Sequence, residues 1–245
     1  LRRIIFSTAL CLLLLSCGGS GGEAGGTEVT VFAATSLTGA FGRIGAAFEK
    51  SHPGTSVTFN FLTSSDLATQ ITEGAHADVF ASADQDNMQK VSSAVASPPS
   101  VFARNRLEIV VRPGNPKGIT SVGDLANDGL VVSLCNSECP AGKYAAELFQ
   151  KDGVVVHADS LESDVKGVVT RVQLGEADAG ICYATDVRAA GDAVEGVPIP
   201  GAENIVATYP IAVMDGAPPA AREFVDLVTS PAGAKILRSY GFLGP

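Results

Sequence analysis

In Val29–Phe41, VTVFAATSLTGAF, a β-branched strand runs straight into an amphipathic helix with Ser36 at the junction. Such a junction aims a hydroxyl and the unpaired amides of a helix N-terminus at one point, which holds a small anion without a charged side chain. The chain repeats the device. After the apolar strand VTFNF (Val57–Phe61) comes TSSDLATQI, where Ser64 or Ser65 can cap a helix that carries Leu67 and Ile71 four residues apart. ADVFASAD (Ala77–Asp84) reads as a third buried strand ending at a helix start. Strands alternating with helices predict a parallel, doubly wound α/β sheet, and the serine junctions predict a binding cleft.

A second series follows. SPPS (Ser97–Ser100) interrupts the first, and RLEIVVRPGNP (Arg106–Pro116) supplies a strand stopped by a Pro-Gly-Asn-Pro turn. SVGDL opens a short helix, LVVSL (Leu130–Leu134) is a strand, and PAGKYAAELFQ (Pro140–Gln150) is a helix with proline in its first turn. Ser163 or Asp164 caps a further helix with Val165, Val168, Val169 and Val172 at helical spacing. AGICYATD gives a strand ending at Tyr183, NIVATYPIAVM (Asn204–Met214) a strand that returns across a boundary, and the remainder terminal helices. Two α/β lobes with chain crossings near Arg104 and Ala207 fit this order.

The N-terminus points outward from the cell. LRRIIFSTALCLLLLSC holds two arginines, an apolar run from Ile4 to Leu15 that is short for a membrane span, then Ser16 and Cys17, the pattern of a signal peptide over residues 1–16. Leu14-Leu15-Ser16-Cys17 also resembles the bacterial lipobox, in which the cysteine becomes the lipidated first residue. Residues 17–27 then read as a lipidated, glycine-rich tether. Loss of the signal removes Arg2 and Arg3 and moves the formal charge from −9 to −11. An acidic body without Lys/Arg clusters argues against nucleic acid, and any anion must be attracted locally.

Taken alone, the candidate residues have plainer readings. Ser36 and Ser64 would be ordinary helix caps, Tyr183 a half-buried strand tyrosine, and the valine stripe core. His52, His76 and His157 lie in separate turns or strand ends without metal-ligand spacing, so no cationic metal site is expected. No P-loop or dinucleotide fingerprint is present. Of the five cysteines, Cys135 and Cys139 in CNSEC suit a short-loop disulfide in an oxidising compartment, with a reduced pair as the alternative. Cys182 reads as a buried small hydrophobe.

With these residues placed, the chain from about Glu28 onward resembles the periplasmic molybdate-binding proteins of ABC transporters. The resemblance rests on VFAATSLTGAF, the F-x-x-S-S-x-L-A-x-Q-I run at Phe61–Ile71, ADVFASAD, PAGKYA, SDVKGVVTRV, GEADAGICYATD and YPIAVM, in that order. It implies a two-lobed class II periplasmic solute-binding fold, each lobe a mostly parallel sheet flanked by helices, with lobe I at 28–105 and 207–245, lobe II at 106–206, and two crossovers at the hinge. It implies oxyanion contacts at Ser36 and Ser64 from one lobe. From the other lobe it implies the backbone amides of Ala141 and Val165 and the hydroxyl of Tyr183. The cysteines around the Ala141 turn depart from the commoner family pattern, and a Cys135–Cys139 bridge there would preorganise that amide.

The resemblance further implies a non-enzymatic, monomeric receptor without a cofactor, exported and lipid-anchored on the periplasmic or cell-wall side. Its ligand would be molybdate, with tungstate, and its partner an ABC permease with its ATPase. A ring of neutral donors suits a proton-free dianion, because a protonated phosphate brings a hydrogen that needs an acceptor. Sulfate or another divalent oxyanion is the alternative within the same class. An enzyme on the same bilobal fold, such as hydroxymethylbilane synthase, is the alternative outside it, and a regulator of the LysR type would need a DNA-binding domain. The matched positions offer no nucleophile or acid/base pair beyond neighbours such as Asp66 and Asp164, which read as helix N-terminal charges.

Overall fold

A computed structural model describes residues 26–245. The signal segment, Cys17 and most of the tether lie outside the described residues. The first strand, β1 (Thr27–Ala34), already begins at Thr27, the last residue assigned to the tether, because its amide donates to Gly54 O (2.9 Å). Among the described residues no helix is long and apolar enough to cross a membrane.

The first lobe is built by β1, a 3-10 turn at Thr35–Leu37, α1 (Thr38–Ser51), β2 (Thr55–Leu62), α2 (Ser64–Thr72), β3 (Val79–Ala81) and α3 (Gln85–Lys90). β1 pairs in parallel with β2 on one side and β3 on the other, so the strand order reverses at β1. Open α/β sheets bind ligands at the carboxyl ends of strands at such a reversal. α1 buries Phe41, Ile44 and Phe48 at three- and four-residue spacing against Phe224 of α7 (Pro219–Thr229), with Phe41–Phe224 centroids 6.1 Å apart and Phe48–Phe224 centroids 5.5 Å apart. α8 (Pro231–Ser239) covers the same face.

The second lobe repeats the scheme with β5 (Val132–Cys135), α4 (Pro140–Asp152), β6 (Ser160–Glu162), α5 (Val165–Gln173), β7 (Ala179–Tyr183), α6 (Ala184–Ala190) and β8 (Glu195–Pro198). β5 pairs in parallel with β6 and β7. The short strands β6 and β8 were not expected from sequence. SVGDL opens the expected short helix, a 3-10 helix at Val122–Ala126 closed by the Ser121–Asp124 capping box.

Two strands join the lobes. β4 (Ser100–Val111) is longer than the expected Arg106 start: from Ser100 to Arg106 it pairs antiparallel with β9 (Val206–Val213), and from Leu107 to Val111 with β7 and β8. The resulting order is β2-β1-β3-β9-β4-β7-β5-β6, with β8 on β4. Where the chain returns, Asn204 clasps the β4 backbone, accepting from Leu107 N (3.0 Å) and donating to Leu107 O (2.8 Å).

Candidate functional site

All five residues expected from the sequence reach one cavity between the lobes. Its walls are Ala34, Thr35, Ser36, Thr63, Ser64 and Ala83 from the first lobe, and Cys139, Pro140, Ala141, Asp164, Val165 and Tyr183 from the second, around ≈ 230 Å³ of empty space. No lysine or arginine lines it. Each wall segment follows the carboxyl end of a strand, so the turn before α1 and the first turns of α2, α4 and α5 converge.

The capping pattern frees the serines. Thr63, not Ser64 or Ser65, caps α2, its Oγ1 accepting from Asp66 N (3.2 Å). Ser36 sits inside the 3-10 turn and caps nothing. Ser64 Oγ instead accepts from Ala83 N (2.9 Å), which leaves its own proton to donate. Ser36 Oγ lies 2.9 Å from Tyr209 OH, and Asn105 Nδ2 approaches that phenol at 3.5 Å. Either hydroxyl can donate in the Ser36–Tyr209 contact; with Tyr209 as the donor, the Ser36 proton is left for the cavity.

The second lobe adds amides and a phenol. Pro140 has no N–H, and Gly142 N and Lys143 N donate to Cys139 O (3.0 and 3.1 Å), so Ala141 carries the first free amide of α4. On α5, Asp164 caps Gly167 N (2.9 Å). Among the described residues the Val165 amide is paired with no acceptor, and the Ala141 amide approaches only the Cys139 sulfur. Tyr183 OH and Thr35 Oγ1 are buried and unpaired there as well. Burial, then the neighbouring Tyr209, pushes the Tyr183 phenol well above its ordinary pKa, so it stays a protonated donor. Leaving one buried hydroxyl unpaired costs roughly 1–3 kcal/mol. Two facing one void mark a site shaped for an acceptor.

The lobes touch around the void. Lys166 Nζ donates to Thr38 Oγ1 (2.8 Å), Tyr144 OH to Ala83 O (3.4 Å), and Lys143 lies 3.8 Å from Asp84 and 3.6 Å from Asp86. Cys135, Cys139 and Cys182 are free, buried thiols. Cys135 and Cys139 stand here as the reduced pair, the alternative to the bridge, and the influence of each on the other lifts the Cys135 pKa and lowers that of Cys139. The Gly142 and Ala141 amides add to the lowering, although Cys139 makes no full capping bond. Gly142 is required here, because a Cβ would collide with Asn136 O and come 2.8 Å from Cys135 O.

Sequence reasoning missed Thr35, Thr63, Cys139 and Asp164 as wall residues. The Thr35-Ser36 pair at a strand end was the available signal for Thr35. The histidines stay apart, His52 beside Glu223 (3.2 Å) and His76 beside Asp78 (3.3 Å).

Two lobes joined by two crossing strands, with a donor-lined void between them, define a solute-binding protein. The chain belongs to the bacterial extracellular solute-binding protein family, whose model matches residues 29–243. It is 40% identical to the "Molybdate-binding protein ModA" of Mycobacterium tuberculosis (strain ATCC 25618 / H37Rv) over 252 aligned positions, 98% of this chain and 97% of that one. Among solved structures, it matches the M. tuberculosis H37Rv sulfate-binding protein SubI with TM-score 0.81 at 20% identity, covering 88% of this chain and 86% of that one. The Azotobacter vinelandii periplasmic molybdate-binding protein matches with TM-score 0.75 at 20% identity, covering 89% and 99%. At such identities the two structures speak for the fold alone.

Proposed function

We propose that this protein captures molybdate, and tungstate with it, in the interlobe cavity and delivers it to an ABC permease with its ATPase. The observation that carries the reading is the convergence of the Ser36, Ser64, Thr35 and Tyr183 hydroxyls with the Ala141 and Val165 amides on one void without a cationic side chain. A proton-free tetrahedral dianion accepts at every oxygen and satisfies them together. The 40% identical relative that carries a molybdate-binding name supports the choice of anion. The role is capture rather than catalysis: the aspartate in the wall, Asp164, is engaged as a helix cap. Residues 28–105 with 207–245 and residues 106–206 act as the closing lobes, ligand favouring the closed state. Cys17 carries the lipid anchor, on the periplasmic or cell-wall face, and the receptor works as a monomer.

Thermal melts with molybdate, tungstate, sulfate and phosphate in turn test this. Ligand at about a thousand times its Kd stabilises the fold by roughly 4 kcal/mol, a rise of about 8–16 °C for a chain of this size. Molybdate and tungstate are expected to give it at micromolar concentration, and sulfate and phosphate not. A larger response to sulfate would move the assignment to the sulfate class.

Thr35 is a sixth donor that sequence reasoning did not assign. Thr35→Val keeps the shape and removes the orphan hydroxyl, so its effects on the empty and loaded protein have opposite signs. The empty protein should gain up to ~1–3 kcal/mol in urea unfolding while molybdate binding loses ~1.5–3 kcal/mol. Unchanged affinity in calorimetry would remove Thr35 from the ligand shell.

A further inference from the structure

Cys135 ends β5 and Cys139 precedes Pro140 at the start of α4, so the two buried thiols close one turn. Asn136 stiffens that turn: its Oδ1 accepts from Glu138 N (3.0 Å) and Cys139 N (3.1 Å), and its own amide donates to Glu162 O (2.9 Å). Cys139 is also a wall of the cavity, two residues from the free Ala141 amide. Gly142 rests directly on the Cys135 and Asn136 carbonyls, so a shift of the turn moves the first turn of α4 with it. Cys182, buried in β7 and outside the wall, is not part of this arrangement.

We infer that Cys135 and Cys139 form a reversible dithiol–disulfide site that tunes the oxyanion cavity, the disulfide form binding the anion more tightly. The inference rests on the oxyanion reading above and assigns a regulation to that site. In the dithiol form a polarisable, ionisable sulfur faces the place where a dianion collects donors. In the disulfide form that sulfur is tied to Cys135, cannot ionise, and fixes the turn presenting Ala141.

The oxidant is a hydroperoxide, which reaches the buried Cys139 through the cavity it lines. The Cys139 thiolate attacks one peroxide oxygen, the O–O bond breaks, and the departing hydroxide takes up a proton to leave as water. The Cys135 sulfur then attacks the resulting sulfenic sulfur, the S–S bond forms, and the hydroxyl leaves with the Cys135 proton as a second water. Two thiols lose two electrons and two protons, and hydrogen peroxide gains both. A dithiol reductant reverses the change by exchange.

The test compares protein treated with hydrogen peroxide and protein treated with dithiothreitol, each desalted and titrated with molybdate by calorimetry. Alkylation under denaturing conditions, with peptide mapping, reports the thiols. Peroxide is expected to protect Cys135 and Cys139 from alkylation and to tighten the molybdate Kd by about fivefold or more. Cys139→Ser should bind molybdate with one affinity in both treatments, and Cys135→Ala, in which oxidation stops at Cys139, should show no tightening after peroxide. Both cysteines remaining alkylatable after peroxide, or a disulfide with an unchanged Kd, would overturn the inference while leaving molybdate capture intact. Binding in neither state would bring down the oxyanion reading itself, and this inference with it.

Discussion

Replacing Ser36 and Ser64 together by alanine is expected to weaken molybdate binding by about 3–6 kcal/mol, since each removes a hydrogen bond to a charged partner worth ~1.5–3 kcal/mol. That is roughly two to four orders of magnitude in Kd. The two hydroxyls face one anion, so the double variant need not equal the sum of the singles, and both singles belong in the measurement. The variants differ in what they do to the empty protein. Ser64→Ala leaves the buried Ala83 amide without its 2.9 Å acceptor and should lower stability by ~1–3 kcal/mol. Ser36→Ala takes from the buried Tyr209 phenol its partner at 2.9 Å, and Asn105 Nδ2, a donor only, leaves the phenol proton without an acceptor. Calorimetry beside urea unfolding separates the two effects. A folded double variant that binds molybdate within tenfold of the parent would remove both serines from the site.

The sequence announced this cavity more clearly than it announced the fold's edges. VTVFAA and VTFNF are β-branched runs long enough to read as strands, and each ends where a helix with four-residue apolar spacing begins. β6 and β8 escaped because three- and four-residue strands at a sheet rim bury too little to impose an alternation. The first half of β4 was hidden by the prolines just before Ser100 and by the polar Arg104-Asn105 pair, which belongs there only because Asn105 is buried against Thr185 (2.8 Å) at the crossing. The caps show a subtler limit. Thr63 takes the Asp66 amide and so releases Ser64, a choice among three adjacent hydroxyls that spacing does not decide. That Thr35 Oγ1 and Tyr183 OH are left unpaired is a tertiary fact, legible only once both lobes stand around the same void.

Replacing Asp186 by asparagine is expected to stabilise the protein, increasingly so at higher pH. Asp186 opens α6 beside Tyr183, is 7% exposed, and its Oδ2 accepts from Tyr183 N (3.1 Å). Burial raises its pKa to about 7, against lowering by the Tyr183 amide and by Lys166. In the unfolded chain the group titrates near ~3.9. The folded protein therefore holds the proton more tightly, and the stability this contributes is complete below about pH 4. It falls as pH rises and is gone above about pH 7, because a bare carboxylate must then be buried. About three pH units at ~1.4 kcal/mol each give a loss of about 4 kcal/mol. Asparagine keeps the acceptor for Tyr183 N and carries no charge at any pH. The variant should match the parent near pH 4 and exceed it by up to about 4 kcal/mol at pH 8, a rise of about 8–16 °C in Tm. Melts of both proteins at pH 4.5, 6 and 8 measure the difference directly, free of the other carboxylates common to both. A difference that does not grow with pH would mean that Asp186 is not a buried, proton-holding carboxyl, and that the support behind Tyr183 is electrostatically different from the one described.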